Sequence, residues 1–156
     1  MEAYCLFCLT QRCDAIAAQL ERSEGVRAIS PRVIQRKWIK GKPFEEAHPY
    51  LPGYVFVYTS RDVAELFHTE GVIRVLDDGP LTGNDLAFAM MLYEKDGVIG
   101  SVKVRSVGDR LTLASGPMKG YEGQIVRVDR HQTRLQLKFD FDGLARCVWV
   151  GYDVVE

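Results

Sequence analysis

Apolar and polar positions along this chain follow two regimes: strand and helix patterns alternate up to about residue 95, and strand patterns stand alone beyond it. Residues 4–9 form a short apolar run containing Tyr4 and Phe7, which predicts a strand buried on both faces. The period then changes. Across 14–22, Ile16, Ala17 and Leu20 share one helical face, Glu21 and Arg22 point outward, and Gly25 follows as a stop signal. Strand character returns over 26–34 around Pro31, and the basic stretch ending at Gly41 and Pro43 reads as a protruding hairpin or loop. Tyr50-Leu51-Pro52-Gly53 is a turn signal, and the aromatic and β-branched run Tyr54-Val55-Phe56-Val57-Tyr58 behind it is the clearest strand in the sequence. A helix is expected over 60–67, capped by Ser60 and stopped by Gly71, followed by a short strand over 72–76. Thr82 with Asp85 three residues on resembles a capping box for a helix over 86–95 that ends at Gly97. This order predicts an antiparallel sheet with helices packed on one side, an α+β sandwich.

Past that point the helical period disappears. Residues 96–106, with Gly97 and Gly100, hold no sustained pattern and read as a linker. Segments 110–113, 124–129, 135–139 and 146–150 are short strands between turns rich in Gly and Asp, which predicts a small closed β-barrel. The expected division is therefore a domain over 1–95, a linker over 96–106 and a second domain over 107–156.

Composition limits the functions open to such a chain. With 47% hydrophobic and 26% charged residues it can build packed cores, so disorder is not the default. No apolar run approaches the roughly 18 to 20 residues that cross a bilayer, and the N-terminal residues lack the basic start of a secretory signal. A cytoplasmic protein without membrane contact is expected. Cys5, Cys8 and Cys13 crowd together with Cys147 far away, which is not the spread of a disulfide framework, so reduced thiols follow. A net charge of -1 excludes a protein that grips nucleic acid through phosphate contacts alone. Charge is locally uneven: Arg32, Arg36, Lys37, Lys40 and Lys42 fall in one stretch without an acid, while Glu65, Glu70, Asp77, Asp78 and Asp85 gather later.

Catalytic and metal chemistry finds little support. Cys5-x-x-Cys8 invites a zinc or redox reading, but positions three apart on a strand face opposite ways and cannot share one ion. His48, His68 and His131 are far apart and lack a carboxylate and nucleophile in a recognisable order. The glycines between Gly116 and Gly123 lack the Lys-Ser or Lys-Thr ending of a phosphate loop. No enzyme activity, cofactor or metal is expected.

Two motifs carry most of the information. One is Tyr50-Leu51-Pro52-Gly53-Tyr54-Val55-Phe56-Val57; the other spans 115–126 and contains Gly116, Lys119, Gly120 and Gly123 ahead of a strand. In this order and spacing, across nearly the whole chain, they resemble the NusG family of transcription elongation and antitermination factors. That family has an N-terminal NGN domain with an aromatic-Pro-Gly-Tyr strand and a C-terminal SH3-like barrel with a KOW motif. The resemblance implies that the NGN domain rests an apolar patch on the clamp helices of the large RNA polymerase subunit. Phe7, Pro52, Tyr54 and Phe56 match that patch; the alternative is that they are core residues. The helix expected over 60–67 offers Asp62-Val63-Ala64 where specialised members carry hydroxyl residues, so a contact to the opposite polymerase lobe is not carried over.

The family's housekeeping form places an exposed aromatic immediately before a hairpin glycine of the barrel, through which it binds a ribosomal protein or a termination factor. Here Asp142 precedes Gly143 and Phe141 lies one place back, an offset that turns the ring to the other strand face. The chain is also short in the linker. The resemblance is therefore greatest to a specialised paralog of the LoaP or RfaH type, a monomer that promotes terminator readthrough and suppresses pausing in selected operons. The alternative is a housekeeping elongation factor that couples polymerase to the ribosome or a termination factor, with a ribosomal protein as partner; a ribosome-associated RNA-binding protein is a more distant one. Lys103, Arg105, Lys119, Arg127, Arg130, His131, Arg134 and Lys138 are candidates for reading an RNA hairpin with the barrel, against an ordinary solvated face. Exposed DNA read by Arg12 and the 36–42 stretch with Trp38 is the other recruiting signal to weigh. A helix-to-barrel refolding of the second domain is not expected, because 124–129 and 145–150 are rich in β-branched and aromatic residues.

Overall fold

In the computed structural model, which describes residues 1–114 and 125–155, the chain folds as two units, Met1–Arg32 with Pro49–Gly97 and Val33–His48 with Val98–Glu156. In chain order the elements are β1 (Glu2–Cys8), α1 (Cys13–Glu21), β2 (Val26–Ile29), β3 (Arg32–Ile39), β4 (Lys42–Pro49), β5 (Tyr54–Thr59), β6 (Val72–Val75), α2 (Gly83–Glu94), β7 (Val98–Ile99), β8 (Val102–Val107), β9 (Arg110–Leu113), β10 (Ile125–Asp129), β11 (Arg134–Phe141) and β12 (Leu144–Val154). The fold class is α+β.

The first unit is built on an antiparallel sheet of order β2-β5-β1-β6. Alternation along its central strands sends Tyr4, Leu6, Cys8, Val55 and Val57 to one face, where they pack with Cys13, Ile16, Ala17 and Leu20 of α1. Phe56 and Tyr58 point the opposite way, onto α2: the Phe56 and Phe88 rings lie 5.9 Å apart, Tyr58 and Tyr93 4.9 Å apart, and the Tyr58 hydroxyl donates to the Ala89 carbonyl. The helices thus cover both faces, which corrects the expectation of helices on one side. The reason is the composition of β5, whose side chains are apolar on both faces and need cover on both. The unit closes at Gly97, which has φ +80 and whose absent side chain leaves room for Ile29; a Cβ there would collide with Ile29 Cγ2.

The helix expected over 60–67 does not form; only a 3-10 turn, Leu66–His68, is present. Local side-chain bonds capture the backbone first. Thr59 Oγ1 accepts from the Arg61 N–H at 3.0 Å and Asp62 Oδ1 accepts from the Ala64 N–H at 3.0 Å. Thr82 does stand at the N-cap of α2, but its hydroxyl makes no capping bond, so the capping-box expectation holds for position and not for chemistry.

The second unit contains a sheet of order β10-β11-β12-β8-β9 and a smaller one of order β4-β3-β7. Leu135, Leu137, Phe139 and Phe141 of β11 and Val102 and Val104 of β8 are buried and alternate with more exposed neighbours, and Val148, Val150 and Tyr152 of β12 are buried with Gly151 between the last two. Residues 96–106, expected as a linker, contain β7 and most of β8, because the Val102, Val104 alternation is too short to stand out in sequence. The basic stretch is a hairpin: Lys40 (φ 51) and Gly41 (φ 76) form a two-residue left-handed turn between β3 and β4. Asp142 (φ 54) and Gly143 (φ 70) make the same kind of turn between β11 and β12.

Gly151 has a different reason to be glycine. A Cβ there would sit 2.8 Å from Arg36 Cζ and 2.9 Å from Nε, so the Arg36 guanidinium occupies the space above the β12 backbone. It donates to the Tyr152 carbonyl at 3.4 Å and to Ser101 Oγ at 3.0 Å. Gly151→Ala is expected to push Arg36 out and cost about 1–3 kcal/mol in denaturant unfolding. Gly100→Ala, where a Cβ meets nothing within 4 Å, is the control and should change stability little. Equal effects would remove this account of Gly151.

Candidate functional site

The turn before β5 positions the first candidate surface. Pro52 and Gly53 (φ 95) fill the centre of a turn closed by the Tyr54 N–H donating to the Leu51 carbonyl at 3.1 Å, the geometry that Pro-Gly favours. The Gly53 carbonyl accepts from the Cys8 N–H at 2.8 Å, which ties the turn to the end of β1. Tyr54 then pairs in register with Phe7, with ring centroids 4.7 Å apart and both rings half-buried. Arg74 of the edge strand β6, opposite Phe7 in the ladder, lays its guanidinium 4.2 Å from the Phe7 ring centroid. Pro52 is exposed beside them, and Leu9 is 50% exposed.

Phe56 does not belong to this surface. It is 0% exposed beneath α2, so its assignment to an apolar docking patch is corrected to a core role. The structure brings Phe7 and Tyr54 together, with Pro52 at the turn beside them, and adds Arg74, which the sequence did not single out because strand register leaves no local mark.

Cys8 and Cys13 share the cluster under α1, while Cys5 lies opposite Phe56 in the ladder. Burial, and then the neighbouring Cys13, push the Cys8 thiol up to about 12, so it stays protonated near neutral pH and is a poor nucleophile or metal ligand. Among the described residues no group of three or more His, Cys, Asp and Glu side chains could hold a metal ion. No helix among them is long and apolar enough to cross a membrane.

The second candidate surface lies on the sheet of the second unit. Arg127 of β10 pairs with Gln136 of β11, and Gln136 with Trp149 of β12. One row along, Asp129 pairs with Arg134 and Arg134 with Gly151. Arg134, Gln136, Lys138 and Trp149 alternate with the buried residues of β11 and β12 and so share the outer face, next to their β10 ladder partners Arg127 and Asp129. The Arg134 guanidinium lies 4.7 Å from the Trp149 ring centroid and its Nε is 3.3 Å from Asp129 Oδ2. Asp129 is held below the usual carboxylate range first by the Gln132 backbone N–H and then, against a smaller opposing effect of burial, by Arg134.

The other predicted residues are less united. Lys103 and Arg105 are exposed on β8, and His131 is exposed in the turn after β10. Arg130 reaches back to donate to the Asp109 carbonyl at 2.9 Å. Lys119, with the 115–124 part of the second motif, lies outside the described residues. Arg36 and Trp38, weighed as DNA readers, are engaged inside the second unit: Arg36 as described above, and Trp38 by donating Nε1–H to the Gln132 carbonyl at 3.0 Å. Sequence reasoning missed Trp149, although its place between the apolar Val148 and Val150 in a strand marks it as outward-facing. Phe141 is 0% exposed, turned into the core beside the Asp142-Gly143 turn.

No family model matches the sequence, and no curated protein matches it. Among solved structures, the fold is similar to that of Thermotoga maritima NusG, in a structure concerned with domain interaction in that protein. The similarity has a TM-score of 0.56 at 17% identity and covers 96% of this chain and 93% of that one. The class defined here is that of NusG-like folds.

Proposed function

We propose that this chain is a specialised NusG-like transcription antitermination factor. Its N-terminal NGN domain binds the clamp helices of RNA polymerase. Its C-terminal KOW domain, a small SH3-like barrel, reads an RNA hairpin, and the outcome is terminator readthrough and pause suppression in selected operons. The protein acts as a cytoplasmic monomer without catalysis. The observation that carries this reading is the Phe7–Tyr54 pair, two rings in tilted contact held at the sheet end by a Pro-Gly turn and left partly open to solvent in a NusG-like fold.

The burial of Phe141 favours the specialised role over the housekeeping one, because no aromatic stands exposed before Gly143 to engage a ribosomal protein or termination factor. Occupancy profiling across the genome tests this: a few long operons are expected, and presence at most transcribed genes would reject it. The RNA assignment is tested by replacing Arg127, Arg130 and Arg134 together with Ala. RNA affinity should fall about tenfold or more and its salt dependence should flatten, while polymerase binding survives. Unchanged RNA affinity in a fluorescence assay would count against this surface.

A further inference from the structure

The outer face of the second unit holds a cleft of about 90 Å3 lined by Gln35, Arg36 and Lys37 of β3 and by Arg134, Trp149 and Val150 of β11 and β12. Three of its six lining residues are cations and none is an acid. The carboxylates paired with those cations do not line it: Glu45, Asp153, Glu46 and Asp129 stand 3.3 to 3.7 Å from their partners and are 30% to 64% exposed, so water weakens their hold. Arg36 is fixed beforehand, with a side chain only 12% exposed, by Ser101, the Tyr152 carbonyl and the gap above Gly151. Arg134 lies against the Trp149 indole, so a stacked guanidinium and ring border the charged cleft.

We propose that this cleft seats one backbone phosphate of RNA, with the adjoining unpaired loop base stacked on the Arg134–Trp149 pair. A phosphate held among the Arg36, Lys37 and Arg134 cations leaves the adjoining base beside the Arg134–Trp149 pair that borders the cleft. Fixed guanidinium groups suit a phosphodiester, and an aromatic face beside them suits the splayed base of a hairpin loop. The inference rests on the RNA reading above and adds to it the residues Gln35, Arg36, Lys37 and Trp149, with strand β3 as one wall of the site.

The test uses the full chain and a fluorescently labelled RNA hairpin with a uridine loop, followed by anisotropy. Gln35→Glu is nearly isosteric and places a negative charge in the cleft; it should weaken binding about tenfold with unchanged unfolding behaviour. Trp149→Leu should weaken it by a similar factor, and Trp149→Phe should restore most of the loss. If the wild-type chain binds the hairpin and both Gln35→Glu and Trp149→Leu bind equally well, the cleft is not the site and the RNA reading stands without it. If the wild-type chain shows no affinity for RNA hairpins, the RNA reading fails and the cleft assignment falls with it.

Discussion

Tyr54→Ala is expected to weaken binding to RNA polymerase by about 30-fold or more while leaving the fold intact. The factor corresponds to the roughly 2 kcal/mol that marks an interface hot spot, and aromatic anchors dominate such positions. Tyr54 is placed to act as one: its ring is half-buried against Phe7, and its backbone closes the Pro52-Gly53 turn regardless of side chain. Phe7→Ala should behave alike, and the double variant should lose less than the sum because the two rings share one contact. Pull-down or interferometry with purified polymerase measures the loss, and circular dichroism with a denaturant midpoint checks that the sheet survives. Wild-type binding by Tyr54→Ala with an unaltered fold would remove the aromatic pair from the interface.

Phe56→Ala is expected to act through stability, at a cost of about 3–5 kcal/mol. Against a total of about 5–15 kcal/mol for an ordinary domain, that is enough to leave much of the chain unfolded or aggregating. The ring is fully buried between β5 and α2, in contact with Phe88, and its removal leaves a cavity that two packed layers cannot close. Phe56→Leu separates the two roles: it should fold with a modest loss of stability and bind polymerase as the wild type does. Strong loss of binding by a well-folded Phe56→Leu would return this residue to the interface. Reading the motif alone assigns Tyr54 and Phe56 the same job; burial gives them different ones.

The difference between those residues shows where sequence was legible. Strands β1, β5, β6 and β9 to β12 follow from local alternation or apolar runs, and α1 from a three-four spacing that its core contacts repeat. The sequence could not show that α2 crosses to the other face of the sheet from α1, because that depends on which side of a doubly apolar strand each helix meets. The helix expected over 60–67 gave way to the Thr59 and Asp62 side chains, whose bonds to nearby N–H groups form over two residues and compete with any helical turn. Phe7 and Tyr54 are partly exposed while Phe56 is fully buried against Phe88 of α2, a difference that strand parity does not encode.

The candidate surface on the second unit was legible in part for a related reason. Arg127, Arg134 and Lys138 stand out as cations on strands, but their grouping with Trp149 depends on the register of three strands, and the approach of Arg36 depends on a missing side chain at Gly151 more than a hundred residues away. Glycine at 151 reads as a weak point in a strand until the guanidinium above it is seen.

A photoreactive phenylalanine analogue in place of Tyr54 tests the central claim most directly, because it reports what the aromatic end of the sheet touches in an elongation complex. Crosslinking to the clamp helices of the large polymerase subunit is the predicted product. Co-purification with polymerase but crosslinks only to other surfaces, or no association with polymerase at all by a folded protein, would contradict the account.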